Sequence, residues 1–247
     1  MRVIKQLEPL EPAYGVAIDE ALFETARERA GHILRFWVNG PAVVIGRSQR
    51  LADEVDEAQA TALGYEVVRR ITGGGAVIHD AGNLNITFVG PKQPGLRAVH
   101  EVFETFGAVF RTALAEVGLE VDARDNSLFA GKRKLSGAAQ MHRGETLLYH
   151  ATLLRALPEV PMESLLLAHR PAYDPQSVAS RPREVTALNR CLDHGPAMDV
   201  LIEAITASCA QRLDDGIAWD TLRPEEANRA TSLADARYRR DAWTRCL

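Results

Sequence analysis

The chain has 247 residues, 46% hydrophobic and 25% charged, an ordinary balance for a globular protein long enough to bury a sizeable core. A formal net charge of −4 lacks the basic excess of a nucleic-acid binder, and no apolar run reaches the roughly eighteen residues that suggest a membrane span. Cys191, Cys209 and Cys246 form neither a C-x-x-C pair nor a disulfide framework, and MRVIKQLEPLEP lacks a signal peptide's apolar core, so a reducing, cytoplasmic setting is expected.

Helical spacing of Ile18, Leu22 and Ala26 predicts a first helix over Pro12–Ala30. The apolar runs Ile33–Val38 and Ala42–Ile45, split by Asn39-Gly40-Pro41, read as strand–turn–strand. Asp53–Leu63 reads as a helix closed by Gly64. Strands are expected over Tyr65–Arg70, Ala76–His79 and Leu84–Val89, with Asp80-Ala81-Gly82-Asn83 as a turn. Phe103, Phe106, Phe110 and Leu114 mark the apolar stripe of a long helix, Val99–Val117. Short β segments are expected at Leu119–Val121, Lys134–Gln140 and Thr146–Leu154. Pro171–Pro182 reads as a loop, and helices are expected over Met198–Leu213 and Pro224–Tyr238. The order predicts an α+β fold, a mixed β-sheet domain flanked by helices.

Two clusters carry the chemistry. In Arg69-Arg70-Ile71-Thr72-Gly73-Gly74-Gly75-Ala76-Val77-Ile78-His79-Asp80, three successive glycines after a strand let backbone approach a ligand and turn N–H groups toward an anion, to which Arg70 can add hydrogen bonds. An isolated triplet is more often a flexible turn beside solvated arginines. It is neither a Walker loop nor a G-x-G-x-x-G turn. The second cluster is Gly131-Lys132-Arg133-Lys134-Leu135-Ser136-Gly137-Ala138-Ala139-Gln140. Strand alternation would put Lys134, Ser136 and Ala138 on one face, an inward lysine among small residues, although a lysine is more often a solvated charge.

Together these clusters resemble the lipoate–protein ligases of the biotin/lipoate ligase superfamily. The resemblance runs through Arg69-Arg70-x-x-Gly73-Gly74-Gly75-Ala76-Val77-x-His79-Asp80-x-Gly82-Asn83 and Asn126-Ser127-Leu128, where the family usually has Asn-Asp-Leu. It continues in Gly131-Lys132-x-Lys134-x-Ser136-Gly137-x-Ala139-Gln140 and in Tyr149-His150-Ala151-Thr152-Leu153-Leu154, which is similar to the family's His-His-Gly-Thr-Leu-Leu. Weaker echoes are Asp19-Glu20-Ala21-Leu22, Val44-Ile45-Gly46-Arg47-x-Gln49 and Val185-Thr186-Ala187-Leu188.

The resemblance implies ATP-dependent activation of lipoic acid, or octanoate, to an acyl-adenylate and its transfer to a lysine of a lipoyl-domain protein. The acceptor would be of the 2-oxoacid dehydrogenase E2 or glycine cleavage H type. It implies Lys134 as the essential lysine on the α-phosphate and carboxyl oxygen, Arg70 on phosphate, and Gly73, Gly74 and Gly75 as a wall of the acyl and nucleotide site. Trp37 would line the acyl end, with His79, Asn83, Ser136, Gly137, Ala138 and His150 about the substrate and Val77 and Ile78 beside the nucleotide. Mg²⁺ is expected on the phosphates, with no metal held by protein alone. Family ligases commonly carry an accessory domain after a motif like Tyr-x-x-x-x-Trp. Tyr238-Arg239-Arg240-Asp241-Ala242-Trp243 is followed by only four residues, so residues 1–247 are expected to form a single catalytic domain, either served by a separate accessory subunit for activation or transferring only preformed lipoyl-adenylate.

Two other functions fit the same clusters. An octanoyl or lipoyl transferase acting from an acyl carrier protein needs a cysteine nucleophile, and none of the three cysteines lies in the matching segments. A lipoyl-binding module without catalysis would have less need of Lys134. Biotin ligase is disfavoured because Gly-Arg-Gly-Arg-x-Gly-Arg is missing.

Overall fold

The computed structural model describes residues 1–27 and 31–247. The chain opens with β1 (Arg2–Leu10), α1 (Pro12–Ala26), β2 (Ile33–Asn39) and β3 (Ala42–Ile45). Two short helices, α2 (Leu51–Glu54) and α3 (Glu57–Ala62), lead to β4 (Glu66–Arg69), β5 (Val77–His79) and β6 (Asn83–Pro91). The long α4 (Val99–Glu116) precedes the antiparallel run β7 (Asp122–Arg124), β8 (Ser127–Ala130), β9 (Arg133–Arg143) and β10 (Thr146–Leu154). The C-terminal part holds α5 (Met162–Leu165), α6 (Leu188–Cys191), α7 (Met198–Leu213), β11 (Ala218–Asp220), α8 (Pro224–Leu233) and α9 (Asp241–Thr244). A π-helical turn, Ala234–Tyr238, extends α8. The first helix was expected to Ala30; α1 ends at Ala26, and residues 28–30 lie outside the described residues.

Eight strands form one mixed sheet in the order β11-β1-β2-β6-β10-β9-β8-β7, and β4-β3-β5 form a second, smaller sheet. β1 runs parallel to β2 and to β11, whereas β2–β6–β10–β9–β8–β7 are antiparallel. A parallel neighbour requires a crossover, and α1 supplies the one between β1 and β2.

Alternation along the strands divides the large sheet into two faces. On one, Leu34, Phe36, Leu84, Ile86, Phe88, Tyr149, Ala151 and Leu153 pack with Val102, Phe106, Val109 and Phe110 of α4 and Leu201, Ile205 and Cys209 of α7. Phe106 and Tyr149 stack with centroids 4.2 Å apart. Burying each such side chain contributes about 1.5–3 kcal/mol. Phe106, Phe110 and Leu114 of the expected stripe are buried and Phe103 is half-buried. Glu101 closes the start of α4 by accepting from the N–H groups of Arg97 and Ala98.

The other face is covered partly by α1, whose Val16, Ala17, Ile18, Ala21 and Leu22 pack with Ile4, Ile33, Val89 and Leu148. Farther along, two rows of paired residues on this face are polar. One row is Arg35–Thr87–His150–Ala139; the next is Trp37–Asn85–Thr152–Gly137.

Local corrections have local causes. The helix expected over Asp53–Leu63 is split because Val55 bridges Leu166 in β fashion and Asp56 caps the second piece through the N–H of Gln59. The strand expected at Leu119–Val121 begins instead at Asp122, because Leu119 and Val121 are buried in the α4–α7 core.

Candidate active site

Lys134 sits where β9 is irregular. Leu128 pairs with Ser136 and Phe129 with Lys134, so Leu135 is an extra residue in the ladder, a β-bulge. Leu135 is fully buried, and Lys134 crosses to the polar face, where a Cβ on Gly137 would lie 2.9 Å from its Nζ and 3.1 Å from its Cε. Simple alternation from Lys134 to Ser136 and Ala138 therefore fails. Ser136 opposes Leu153, and Ala138 opposes Ala151 and packs on the α4 side.

A stretch of loop completes the site at Lys134. The N–H of Lys134 donates to Glu184 O (2.9 Å) and the N–H of Thr186 to Lys134 O (2.9 Å), an added parallel bridge that sets Arg183 beside the ammonium. Burial and the Arg183 charge both lower the pKa of Lys134. Among the described residues no carboxylate pairs with Lys134. Each of two cations so placed would be stabilised by an anion lying near both. An open cleft of about 420 Å³ between residues 168–171 and 182–184 is lined by Arg170, which is paired with Asp56 (2.9 Å), and by Arg183 and Glu184.

The glycine triplet lies over the same strands. Gly74 has φ +90°, and a Cβ there would be 3.9 Å from the Cβ of Ala139. Its carbonyl passes so close to Gly46 that a Cβ on Gly46 would meet it at 2.0 Å, which requires glycine at 46. Arg70 frames this loop from beneath, donating to Thr72 Oγ1 (3.1 Å), Val44 O (3.0 Å), Gly73 O (2.6 Å) and Gly75 O (2.9 Å). Burial pushes its pKa down to about 10, so it remains charged at neutral pH. The guanidinium expected on a phosphate is turned inward, because four of its five N–H groups are committed here. Arg69 faces away, donating to Gly46 O, Arg47 O and Gln49 O and to Trp243 O and Thr244 O.

Beneath the loop, Asp19 of α1 gathers the first polar row. Its Oδ1 accepts from Arg35 (2.7 Å) and Thr87 (2.9 Å), and its Oδ2 bonds His150 Nδ1 (3.1 Å). Burial raises the pKa of this carboxyl, but the His150 bond and the Arg35 charge outweigh it and hold the group below the usual range. His150 Nε2 lies 2.7 Å from Thr72 Oγ1. Trp37 donates from Nε1 to Thr87 Oγ1 (3.0 Å) and meets His79 edge-on, while the Asn39 amide donates to His79 Nδ1 (3.3 Å). Burial, helped by Arg70 and His150, pushes His79 down to about 3, so this imidazole is neutral. Asn83 donates to Asn85 (2.8 Å). Arg35 Nη2, Asn39 Oδ1, Asn83 Oδ1 and Asn85 Nδ2 are buried on or beside this face with no partner among the described residues. Orphans concentrated at one place are the mark of groups awaiting water or ligand.

This constellation has counterparts among known proteins. Residues 11–210 match the family described as the lipoyl protein ligase A/B catalytic domain. The chain belongs to that family. A Thermoplasma acidophilum relative, lipoate-protein ligase A subunit 1, is 28% identical over 242 residues, 92% of this chain and 90% of the relative. A T. acidophilum structure solved with bound lipoic acid superposes with a TM-score of 0.82 at 25% identity, covering 98% of each chain. A lipoate-protein ligase A structure with bound ATP gives 0.83 at 25% identity, covering 99% of this chain and 98% of that one. The chain spans about half the length of several other curated relatives it matches, 53%, 59% and 46%.

Within this ligase family chain, the structure gathers Lys134, Gly137, His150, Gly73–Gly75, Trp37, His79 and Asn83 on or beside the polar face. Three expected residues point elsewhere: Ser136 and Ala138 for the bulge, and Ile78 because β5 alternation sends it into the core of Val43, Ile45 and Leu165. Val77 is half-buried against the α1 core. Asp19, Thr72, Arg183 and Ser180 were missed as site residues. Only Asp19 left a trace, an acid on a helix otherwise buried, and the others depend on contacts across more than 45 positions. Ser180 Oγ accepts from Ala76 N–H (2.9 Å) and Gln49 (3.1 Å) and donates to the buried Glu54 (2.5 Å), pinning the 171–182 loop onto the triplet.

The thiols stand apart. Cys209 lies in the α4–α7 core, where burial pushes its pKa up to about 12. Cys191 is half-buried, 3.5 Å from Thr186 Oγ1, and Cys246 is exposed. None of them is on the polar face. No helix among the described residues is long and apolar enough to cross a membrane.

Proposed function

We propose that this chain is the catalytic part of a cytoplasmic lipoate–protein ligase. It would join lipoate, or octanoate, to ATP as an acyl-adenylate and then pass the acyl group to a lysine of a lipoyl-domain protein of the E2 or H type. The observation that carries this reading is the Lys134–Arg183 pair beside the glycine triplet, without a carboxylate partner among the described residues. A carboxylate attacking an α-phosphate brings anions together, and fixed cations with aligned N–H groups offset that repulsion; losing one such donor typically costs about a hundred- to a thousandfold in rate. Arg70 supplies positive potential from under the loop. The acyl chain would run toward Trp37 and the nucleotide toward the cleft bounded by Arg170 and Arg183.

Mg²⁺ would bind through the phosphates of ATP and lower their charge. The T. acidophilum relative that matches over nine-tenths of its length is named as one subunit, which supports a separate accessory subunit for the activation step.

The test mixes the purified chain with apo lipoyl domain, lipoate, ATP and Mg²⁺ and follows the acceptor's intact mass. Gain of one lipoyl group, from lipoate and ATP once the accessory subunit is added or from supplied lipoyl-adenylate without it, and lost in Lys134→Ala, is the expected result. Modification only from supplied lipoyl-adenylate would assign activation to the accessory subunit. No modification from either source, or equal activity in Lys134→Ala, would overturn the reading.

A further inference from the structure

We propose that Arg47, Arg50, Arg181 and Lys132 form a cationic rim at the mouth of the site, which docks an acceptor domain through carboxylates around its target lysine. The proposal rests on the ligase reading, which brings a folded acceptor to this mouth.

A lysine side chain reaches no farther than its own four-carbon stem. For its amine to meet an acyl carbon beside the Lys134 ammonium over Gly137, the acceptor's surface must lie against the segments that border the site. Those segments are residues 46–50, 130–134 and 170–187. The N–H of Arg47 donates to Thr72 O (2.8 Å), next to the glycine triplet, and the N–H of Arg50 donates to Ser177 Oγ (2.9 Å). Arg181 follows Ser180, which holds the Ala76 N–H, and Lys132 stands at the turn from β8 into β9, two residues before Lys134. Gly73 and Gly74 are exposed, so no side chain of theirs obstructs an approaching surface.

The three segments hold eight lysines and arginines and two acids, in a chain whose net charge is −4. Arg133 pairs with Glu184 (2.7 Å) and Arg170 with Asp56 (2.9 Å), while Lys134 and Arg183 serve the nucleotide in the ligase reading. Arg47, Arg50, Lys132 and Arg181 remain. All four are exposed, and none has a carboxylate partner among the described residues. The acids of the adjoining α2 are engaged elsewhere: Asp53 accepts from the Gln176 N–H (3.0 Å), and Glu54 is fully buried under Tyr173 and Ser180. Of the acids in the three segments, only Asp174 is left to offset the rim.

Like charges gathered in one place repel one another, and an acidic partner relieves that repulsion. A nucleic acid fits the rim less well, because such grooves add exposed aromatic rings on which bases stack. Tyr173 is the one aromatic residue in the three segments, and its hydroxyl is held by Glu54. Rim charges act over about 10 Å at 0.1 M salt. Their effect therefore falls on encounter with the acceptor and its salt dependence, not on the chemical step.

The test measures transfer from supplied lipoyl-adenylate to an apo lipoyl domain. It compares wild type, the rim variant Arg47→Glu/Arg50→Glu/Arg181→Glu and the control Arg111→Glu/Arg212→Glu. The control arginines are exposed on α4 and α7, which cover the other face of the large sheet. The rim variant should raise KM for the acceptor about tenfold or more, with kcat and KM for lipoyl-adenylate within about twofold and the control unchanged. Salt raised from about 50 to about 300 mM should raise the wild-type KM for the acceptor several-fold and hardly move the variant's. Changing the acceptor's carboxylates nearest its lysine to amides should raise KM in wild type and add little in the rim variant, as direct coupling requires. A KM for the acceptor that ignores the rim charge, or a rise shared by lipoyl-adenylate, would overturn the docking face. So would capture of a short random-sequence RNA by wild type, lost in the rim variant while the acceptor's KM stands still. A wild type that transfers nothing defeats the ligase reading and the rim's role with it; a competent wild type indifferent to rim charge and salt defeats the rim alone.

Discussion

The ammonium of Lys134 lies across Gly137, filling the space that a side chain at position 137 would occupy. Gly137 has no positive φ and sits in extended strand, so alanine can adopt its backbone without strain. A methyl group there would displace the ammonium, not the strand. Gly137→Ala should therefore keep or raise stability, by up to about 1 kcal/mol, through a less flexible unfolded chain. Pyrophosphate release should nonetheless fall about ten- to a hundredfold, since small misplacements of a reacting group cost that much. Denaturant midpoints and adenylation rates on the same preparation decide the matter. Unchanged adenylation would show that the position of Lys134 over Gly137 is immaterial.

Much of the frame was legible because it is local. Ala42–Ile45, Thr146–Leu154 and Met198–Leu213 form with the expected bounds, each a short apolar run or a periodic helix between clear breakers. β1 was not anticipated, since RVIKQLEPL alternates poorly and its partners are thirty and more than two hundred positions away. The bulge at Leu135 was invisible for another reason: it is imposed by β8 and by the strand-like segment at Val185, and a single extra residue reverses every facing after it. Motif residues such as Lys134 and Gly74 could be found without a structure. Their supports, Asp19 under His150 and Glu54 under Ser180, lie 131 and 126 positions from their partners and follow no period.

Ser180 is the pin of the loop over the triplet. Its hydroxyl serves Ala76, Gln49 and Glu54, and Glu54, fully buried, also accepts from Tyr173 (2.5 Å). Removing the hydroxyl leaves a buried carboxylate oxygen and a backbone N–H without their partner, at a cost of about 1–3 kcal/mol. Ser180→Ala should speed limited proteolysis within residues 171–187 about tenfold, because the loop opens more often, and should slow adenylation. Cleavage at the wild-type rate would mean that the loop is held by other contacts.

His79 gives a pH dependence of stability. Its folded pKa, about 3, lies below the ordinary value of 6.5, so between those limits the unfolded chain binds the extra proton and stability rises with pH. From pH 7 to pH 5 the wild type should lose about 2 kcal/mol on this account, as a slope of up to about 1.4 kcal/mol per pH unit develops. The depressed Asp19 carboxyl acts in a different window, losing its contribution only as pH falls below the usual carboxylate range. His142 and His169 are lowered in the same direction as His79, so the difference between wild type and His79→Asn is the measurement that isolates it. Urea denaturation of both proteins at each pH should give a steeper fall for the wild type; parallel curves would contradict a neutral, buried His79.

Arg69 ties the C-terminal segment to the turn beneath the glycine loop. It is fully buried and meets only carbonyls: Gly46, Arg47 and Gln49 on one side, Trp243 and Thr244 on the other, with Trp243 Nε1 donating back to Arg69 O (2.8 Å). A lysine ammonium has three donors from one point and cannot span both sides of this fork. Arg69→Lys should therefore cost about 2–4 kcal/mol in urea denaturation, from carbonyls left without donors around a charge still buried. The consequence should reach the site, because Gly46, on which Gly74 O rests, is one of the released carbonyls. Trp243→Phe, which keeps an aromatic ring but loses the pyrrole half of the indole and the Nε1 bond, should cost about 1–3 kcal/mol and leave adenylation close to wild type. If instead Arg69→Lys lost stability without slowing adenylation, the turn at Gly46 would be a passive support and the shape of the glycine loop would rest on Arg70 alone.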